Sequence, residues 1–165
     1  MVQIFDYGNM ITNKDIIKAK NKVDELIKTE NYCKTVHTYQ TWANLYQYSE
    51  FKIFYETFIT SCFLYLNQKV NIKRERMWCY VDCARNNLKK NRDELWHEHS
   101  ENGRNKLSGI FYLINRRKEL TEFKNIDHLP YKSFSWYIYP SSLLHRPPKI
   151  KSIRNRYTIA ANLEF

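Results

Sequence analysis

The chain has 165 residues and a mass of 20.2 kDa, room for one hydrophobic core rather than two, so its function is expected in one site on a single domain spanning 1–165. A hydrophobic content of 43% with 16% aromatic residues excludes a disordered or low-complexity chain. The formal net charge of +10 admits nucleic acid, an acidic surface or an anionic small molecule as partner, although the basic residues are scattered through nearly every segment rather than gathered in a stripe.

Helical spacing comes first. Ile16, Ala19, Val23, Leu26 and Ile27 form one stripe behind a Thr12 or Asn13 cap. A second helix is expected around Tyr39, Trp42, Ala43 and Tyr46. A third carries Phe51, Phe54, Tyr55, Phe58, Ile59, Cys62 and Leu66, with Ser49 as its candidate cap. That third segment is the most apolar of the chain, but Lys52 and Glu56 interrupt it and it falls short of the ~20 residues of a membrane span, so no membrane association is expected. Residues 1–72 thus read as mainly helical support.

After Arg76 the rhythm changes to short β-type runs: MWCYVDC, ELWHEHSE, KLSGIFYLIN, FSWYIYP and RYTIAANLEF. Helices leading into antiparallel strands give an α+β architecture, with the helices on one face of a β-sandwich or barrel built from residues 73–165. The four cysteines Cys33, Cys62, Cys79 and Cys83 have no CxxC spacing, and the first residues lack a secretory signal, so reduced thiols in a cytoplasm are expected. Cys79 and Cys83 share a strand face and read as core residues rather than zinc ligands.

Chemistry concentrates in Trp96-His97-Glu98-His99-Ser100-Glu101. On a strand, alternation puts His97, His99 and Glu101 on one face, and two residues span about 6.6 to 6.8 Å. Neighbouring same-face side chains can then converge on one ion at ~2.1 Å. A third ligand from another strand leaves coordination positions open for a co-substrate and oxygen, as in non-haem iron sites. His145, after FSWYIYP and a short Ser-Ser-Leu-Leu segment, is the candidate. On the last strand Arg156, Thr158, Ala160 and Asn162 share a small, polar face. An inward arginine there is costly unless an anion meets it, and a carboxylate together with the Thr158 hydroxyl would satisfy it.

Read in order, WHEHS, LSGIFYL, YPSSLLH and RYTIAANLEF resemble the 2-oxoglutarate/Fe(II) oxygenase superfamily over about Trp78 to Phe165, in particular its short phage and marine-bacterial members. The same stretch is similar to prolyl-hydroxylase-type members through His99-Ser100-Glu101, Gly103-Arg104 and Tyr112-Leu113. The first alignment makes His97 and His99 the ligand pair, the second His99 and Glu101. His145 is the distal ligand in both. The resemblance implies Fe(II) as metal and 2-oxoglutarate as co-substrate. Arg156 would bind the far carboxylate of 2-oxoglutarate, Thr158 would support it and Tyr112 would be a second donor. Ser108 and Asn162 would lie near the pocket. It further implies a double-stranded β-helix (jelly roll, cupin-like) with the N-terminal helices packed on one face, and a hydroxylase using oxygen on an unidentified prime substrate, in a bacterial or, for a viral protein, host cytoplasm. Two alternatives stand beside it: a repurposed cupin-like metal-binding protein, and a basic nucleic-acid-binding module.

Overall fold

The computed structural model of the protein describes residues 1–29, 32–34, 39–83, 95–99 and 106–165. Two helices pack on an antiparallel sheet built from β1 (Gln3–Asp6), β2 (Tyr32–Lys34), β3 (Tyr39–Thr41), β4 (Arg74–Asp82), β5 (Lys106–Ile114), β7 (Ser135–Pro140) and β9 (Arg156–Glu164), in the spatial order β1-β7-β5-β9-β4-β3-β2. A smaller second sheet pairs β6 (Glu122–Phe123) with β8 (His145–Arg146), and His97 adds one antiparallel bridge to His145. The last strand, β9, lies at the centre of the large sheet between β5 and β4.

Helix α1 (Asn13–Lys28) starts where the sequence says it should. The Thr12 Oγ1 accepts the Asp15 amide hydrogen, and the Asp15 carboxylate accepts the Thr12 amide, a reciprocal capping box. The Thr12 hydroxyl, which donates to the Asp15 carboxylate, and then the Thr12 amide hold that carboxyl below its usual pKa. Ile16, Ala19, Val23 and Leu26 are buried from its inner stripe. Helix α2 (Lys52–Leu66) buries Phe54, Thr57, Phe58, Ser61 and Cys62 and ends at Asn67 in the left-handed conformation (φ 52°), whose amide bonds back to Leu64 and Phe63. No helix among the described residues is long and apolar enough to cross a membrane.

Strand alternation divides the large sheet into two faces. Met77, Cys79, Val81, Phe111, Trp136, Ile138, Ile159 and Leu163 pack with α1 and α2 into the main core. Trp136 is fully buried, with its ring 5.1 Å from that of Phe58, and its indole nitrogen donates to Thr57 Oγ1 at 3.0 Å. Gly109 sits under this contact: a Cβ there would stand 2.6 Å from Phe58 Cε2, so only glycine lets α2 come this close. Cys62, Cys79 and Cys83 are buried and free, and burial pushes the thiol pKa of Cys62 and Cys79 well up. The opposite face carries a second apolar cluster of Ile110, Tyr112, Phe123, Tyr137 and Tyr139 and faces the pocket described below.

Three expectations are corrected. The stripe at Tyr39, Trp42, Ala43 and Tyr46 is not a helix: residues Tyr39–Thr41 are an edge strand paired with β4, followed by a single 3-10 turn at Leu45–Gln47. Its three-and-four spacing fits a helix by coincidence, because Trp42 is 55% exposed while Thr41, which is off the stripe, is buried and accepts the Cys79 amide hydrogen. Ser49 does not cap α2; it opens a separate 3-10 turn, and the cap position is Phe51, with no side-chain bond. Finally, the histidine segment is not a continuous strand within residues 95–99 but a single bridge at His97. Residues 1–72 supply both helices and also β1, β2 and β3, which form the two edges of the sheet.

Candidate functional site

His97 and His145 are held opposite one another by their own backbones. Each amide donates to the other's carbonyl at 3.0 Å, the reciprocal pair of an antiparallel ladder. His99, two residues on, is anchored by its amide to the Ser141 carbonyl at 2.8 Å. The three imidazoles therefore converge from two chain segments. Ring centroids are 4.4 Å apart for His97 and His145, 5.0 Å for His97 and His99, and 5.1 Å for His99 and His145. One ligand-capable nitrogen from each lies within 4.8 Å of the others.

The tautomers suit ligation. Nδ1 of His145 donates to the Leu143 carbonyl (2.8 Å) and Nδ1 of His97 to the Leu95 carbonyl (2.9 Å), which leaves Nε2 of each unprotonated and capable of binding a metal, that of His145 with the Tyr139 hydroxyl 3.4 Å away. Burial above all lowers the His145 pKa to about 4. The carbonyl bond acts against this, and the neighbouring His97 and His99 add to it, so the ring is neutral at neutral pH. Three imidazoles on a wall also formed by Tyr139, Phe123 and Trp78 are a donor set for a first-row divalent ion. Glu101, the rival third ligand, lies outside the described residues, as does Gly103-Arg104.

The same pocket, of about 270 Å³, is lined by all three histidines and by Arg156 and Thr158. Its floor is the polar-small face of β9, flanked by β4 and β5. Thr158 pairs with Tyr80 and Tyr112, and Ala160 with Trp78 and Ile110. Arg156 is 4% exposed; its Nε donates to Thr158 Oγ1 at 3.1 Å, and its guanidinium lies 5.6 Å over the Tyr112 ring. Tyr112 thus stands beside Arg156, and its hydroxyl accepts the Thr121 amide hydrogen at 2.8 Å, which ties the strand to the following loop. Ser108 and Asn162 are joined by a 2.8 Å hydrogen bond, and Ser108 also meets Ser141, the residue whose carbonyl holds His99.

Sequence reasoning missed three residues here. Tyr139 places its hydroxyl 3.4 Å from His145 Nε2, Trp78 packs edge-on to His99, and Asp82 faces Arg156. The signal was present: in MWCYVDC, alternation sets Trp78, Tyr80 and Asp82 apart from Met77, Cys79 and Val81, and pairing with β9 puts the first set on the pocket face. At the rim, Arg146 bonds Glu122 at 2.7 Å and lies 4.4 Å over the Trp96 ring.

No family model and no curated protein sequence matches the chain. Solved structures do. A prolyl-4-hydroxylase from Pseudomonas putida superposes with a TM-score of 0.65 at 10% identity, covering 99% of this chain and 91% of that one. The 2-oxoglutarate complex of a viral collagen prolyl hydroxylase from Paramecium bursaria Chlorella virus-1 gives 0.54 at 11% identity, over 99% and 93% of the two chains. A Trichoplax adhaerens prolyl hydroxylase, bound to a hypoxia inducible factor oxygen degradation domain peptide, gives 0.56 at 11% identity, over 99% and 83%. The chain is therefore similar to these prolyl hydroxylases in its fold, at a sequence identity of 10–11%.

Proposed function

We propose that the protein is an Fe(II)- and 2-oxoglutarate-dependent oxygenase that hydroxylates a prime substrate, built as a single domain on a double-stranded β-helix. One observation carries this reading: a single pocket is lined both by a three-histidine cluster and by a buried arginine bonded to a threonine hydroxyl. A metal site alone needs no buried arginine, and Arg156, although ion-paired with Asp82, keeps a buried Nη1 with no hydrogen-bond partner among the described residues, a donor that a carboxylate would satisfy. A dicarboxylate that chelates a metal at one end and meets Arg156 at the other accounts for both.

In this reading His97, His99 and His145 hold Fe(II), with Glu101 as the alternative to His97, and Arg156 and Thr158 fix the far carboxylate beside the Tyr112 ring. Bound there, iron supplies oxygen activation coupled to oxidative decarboxylation of the 2-oxo acid. The carbonyl bonds at Nδ1 of His97 and His145 fix the ring orientations. Trp78, Ile110 and Tyr139 line the pocket with largely apolar surface, a surround of low polarity that strengthens the ionic contact at Arg156. The likeness in fold to a hydroxylase solved with 2-oxoglutarate and to one solved with a peptide supports the class of co-substrate and leaves a peptide segment as the natural class of prime substrate to try first.

An anaerobic titration tests the reading without a prime substrate. Protein, Fe(II) and 2-oxoglutarate together are expected to develop a visible absorption band from the chelated 2-oxo acid, absent when any one component is omitted and lost in His145→Ala. A band that survives His145→Ala, or its absence from the complete wild-type mixture, would count against it.

A further inference from the structure

Arg156 is not a bare cation. Asp82 lies directly opposite it in the β4–β9 register, with Oδ2 3.7 Å from Nη1. That is an ion pair, yet too long for a hydrogen bond. Arg156 Nη1 and Asp82 Oδ1 are both buried with no hydrogen-bond partner among the described residues. The two groups neutralise each other without satisfying each other. Asp82 is largely buried, and burial more than any neighbour raises its carboxyl pKa; Arg156 opposes the shift and Glu119 adds to it. Arg156 therefore already faces one carboxylate in the pocket, that of Asp82.

A dicarboxylate taking the Nη1 edge of Arg156 comes up against Asp82 Oδ2. Two carboxylates sharing one cation cannot both remain charged there without cost. Resting on the oxygenase reading above, we propose that Asp82 is a specificity-determining residue of the co-substrate pocket, an internal counter-anion of Arg156 that an incoming carboxylate has to displace or neutralise. The pocket then holds a dicarboxylate more weakly than Arg156 and Thr158 alone would, and the orphaned Nη1 and Oδ1 mark the position where the exchange occurs. A 2-oxo acid with no far carboxylate never meets Asp82.

The test is calorimetric titration of the Mn(II)-loaded protein, without oxygen turnover, with 2-oxoglutarate and with 2-oxobutanoate. Asp82→Asn, and Asp82→Ser as a second neutral variant, are expected to bind 2-oxoglutarate about tenfold tighter than wild type, between the weak coupling of two like charges in water and their stronger coupling near a protein surface. Neither should change the affinity for 2-oxobutanoate. Unchanged or weaker 2-oxoglutarate binding in both variants, or an equal gain for the two ligands, overturns the proposal. Arg156→Ala separates this from the reading beneath it. If that variant loses 2-oxoglutarate while the Asp82 variants gain nothing, the oxygenase reading stands and the role of Asp82 falls. If it binds 2-oxoglutarate as wild type does, both fall.

Discussion

Arg156→Met tests whether the buried pair is electrostatically coupled. The substitution keeps an unbranched chain beside the Tyr112 ring but leaves the Asp82 carboxylate, whose side chain is 13% exposed, without its cation. Removing one member of a largely buried pair costs about 3 kcal/mol or more, which for a chain of this size lowers Tm by roughly 6 to 12 °C. The cost depends on pH in a defined direction. Asp82 already has a folded-state pKa above its usual value, and losing Arg156 removes the influence that opposes the shift. An acid with a raised folded-state pKa favours the folded state below its unfolded pKa, near 3.9, and that contribution is lost as pH rises through the folded value. The deficit of Arg156→Met against wild type is therefore larger at neutral pH than in mild acid, and Asp82→Asn in the same chain recovers much of it. Urea unfolding of the four proteins of this cycle at two pH values measures the effect. An Arg156→Met protein as stable as wild type, a deficit independent of pH, or a double variant no better than the single would refute the coupling.

Three other outcomes follow from the packing and the site. Gly109→Ala drives a methyl group to 2.6 Å from the Phe58 ring, which Trp136 backs at 5.1 Å, so it should destabilise by about 1–3 kcal/mol, with partial rescue by Phe58→Leu; thermal unfolding within experimental error of wild type would contradict this. Thr57→Val leaves the buried Trp136 indole N–H without its acceptor and should cost about 1–3 kcal/mol in the same assay. His145 has a folded-state pKa lowered to about 4, so the metal-free protein loses stability as pH falls from the unfolded value near 6.5 through about 4, and His145→Phe should flatten this dependence in an acid titration followed by circular dichroism.

The strands of the second half were legible because hydrophobic alternation and β-branched or aromatic content agree there. LSGIFYL, SWYIYP and RYTIAANLE are buried nearly throughout and became β5, β7 and β9. A cap at Thr12 or Asn13 was legible ahead of the first apolar stripe, and the reciprocal pair with Asp15 decides for Thr12. The Tyr39–Tyr46 segment misled because pairing with β4, a long-range contact, decides the conformation of an edge strand whose local spacing also fits a helix. At the site, His97 and His99 stood out as a close histidine pair and His145 by its place after FSWYIYP, although the strand assumed for the pair is only a single bridge, and Arg156 with Thr158 stood out from the oddity of an inward cation. Asp82 was hidden for a different reason. An aspartate near the end of a strand reads as a turn residue until the register shows that it faces Arg156.

The central claim is that one pocket couples a histidine-held metal to an arginine-held dicarboxylate. Its most direct test is conversion of 2-oxoglutarate to succinate in air with Fe(II) and ascorbate, with and without a chelator, by wild type, His145→Ala and Arg156→Ala. The account predicts succinate release by wild type that the chelator abolishes and that both substitutions reduce at least tenfold, a loss of about 1.4 kcal/mol or more. Succinate release that persists without metal, or that survives both substitutions, would contradict it.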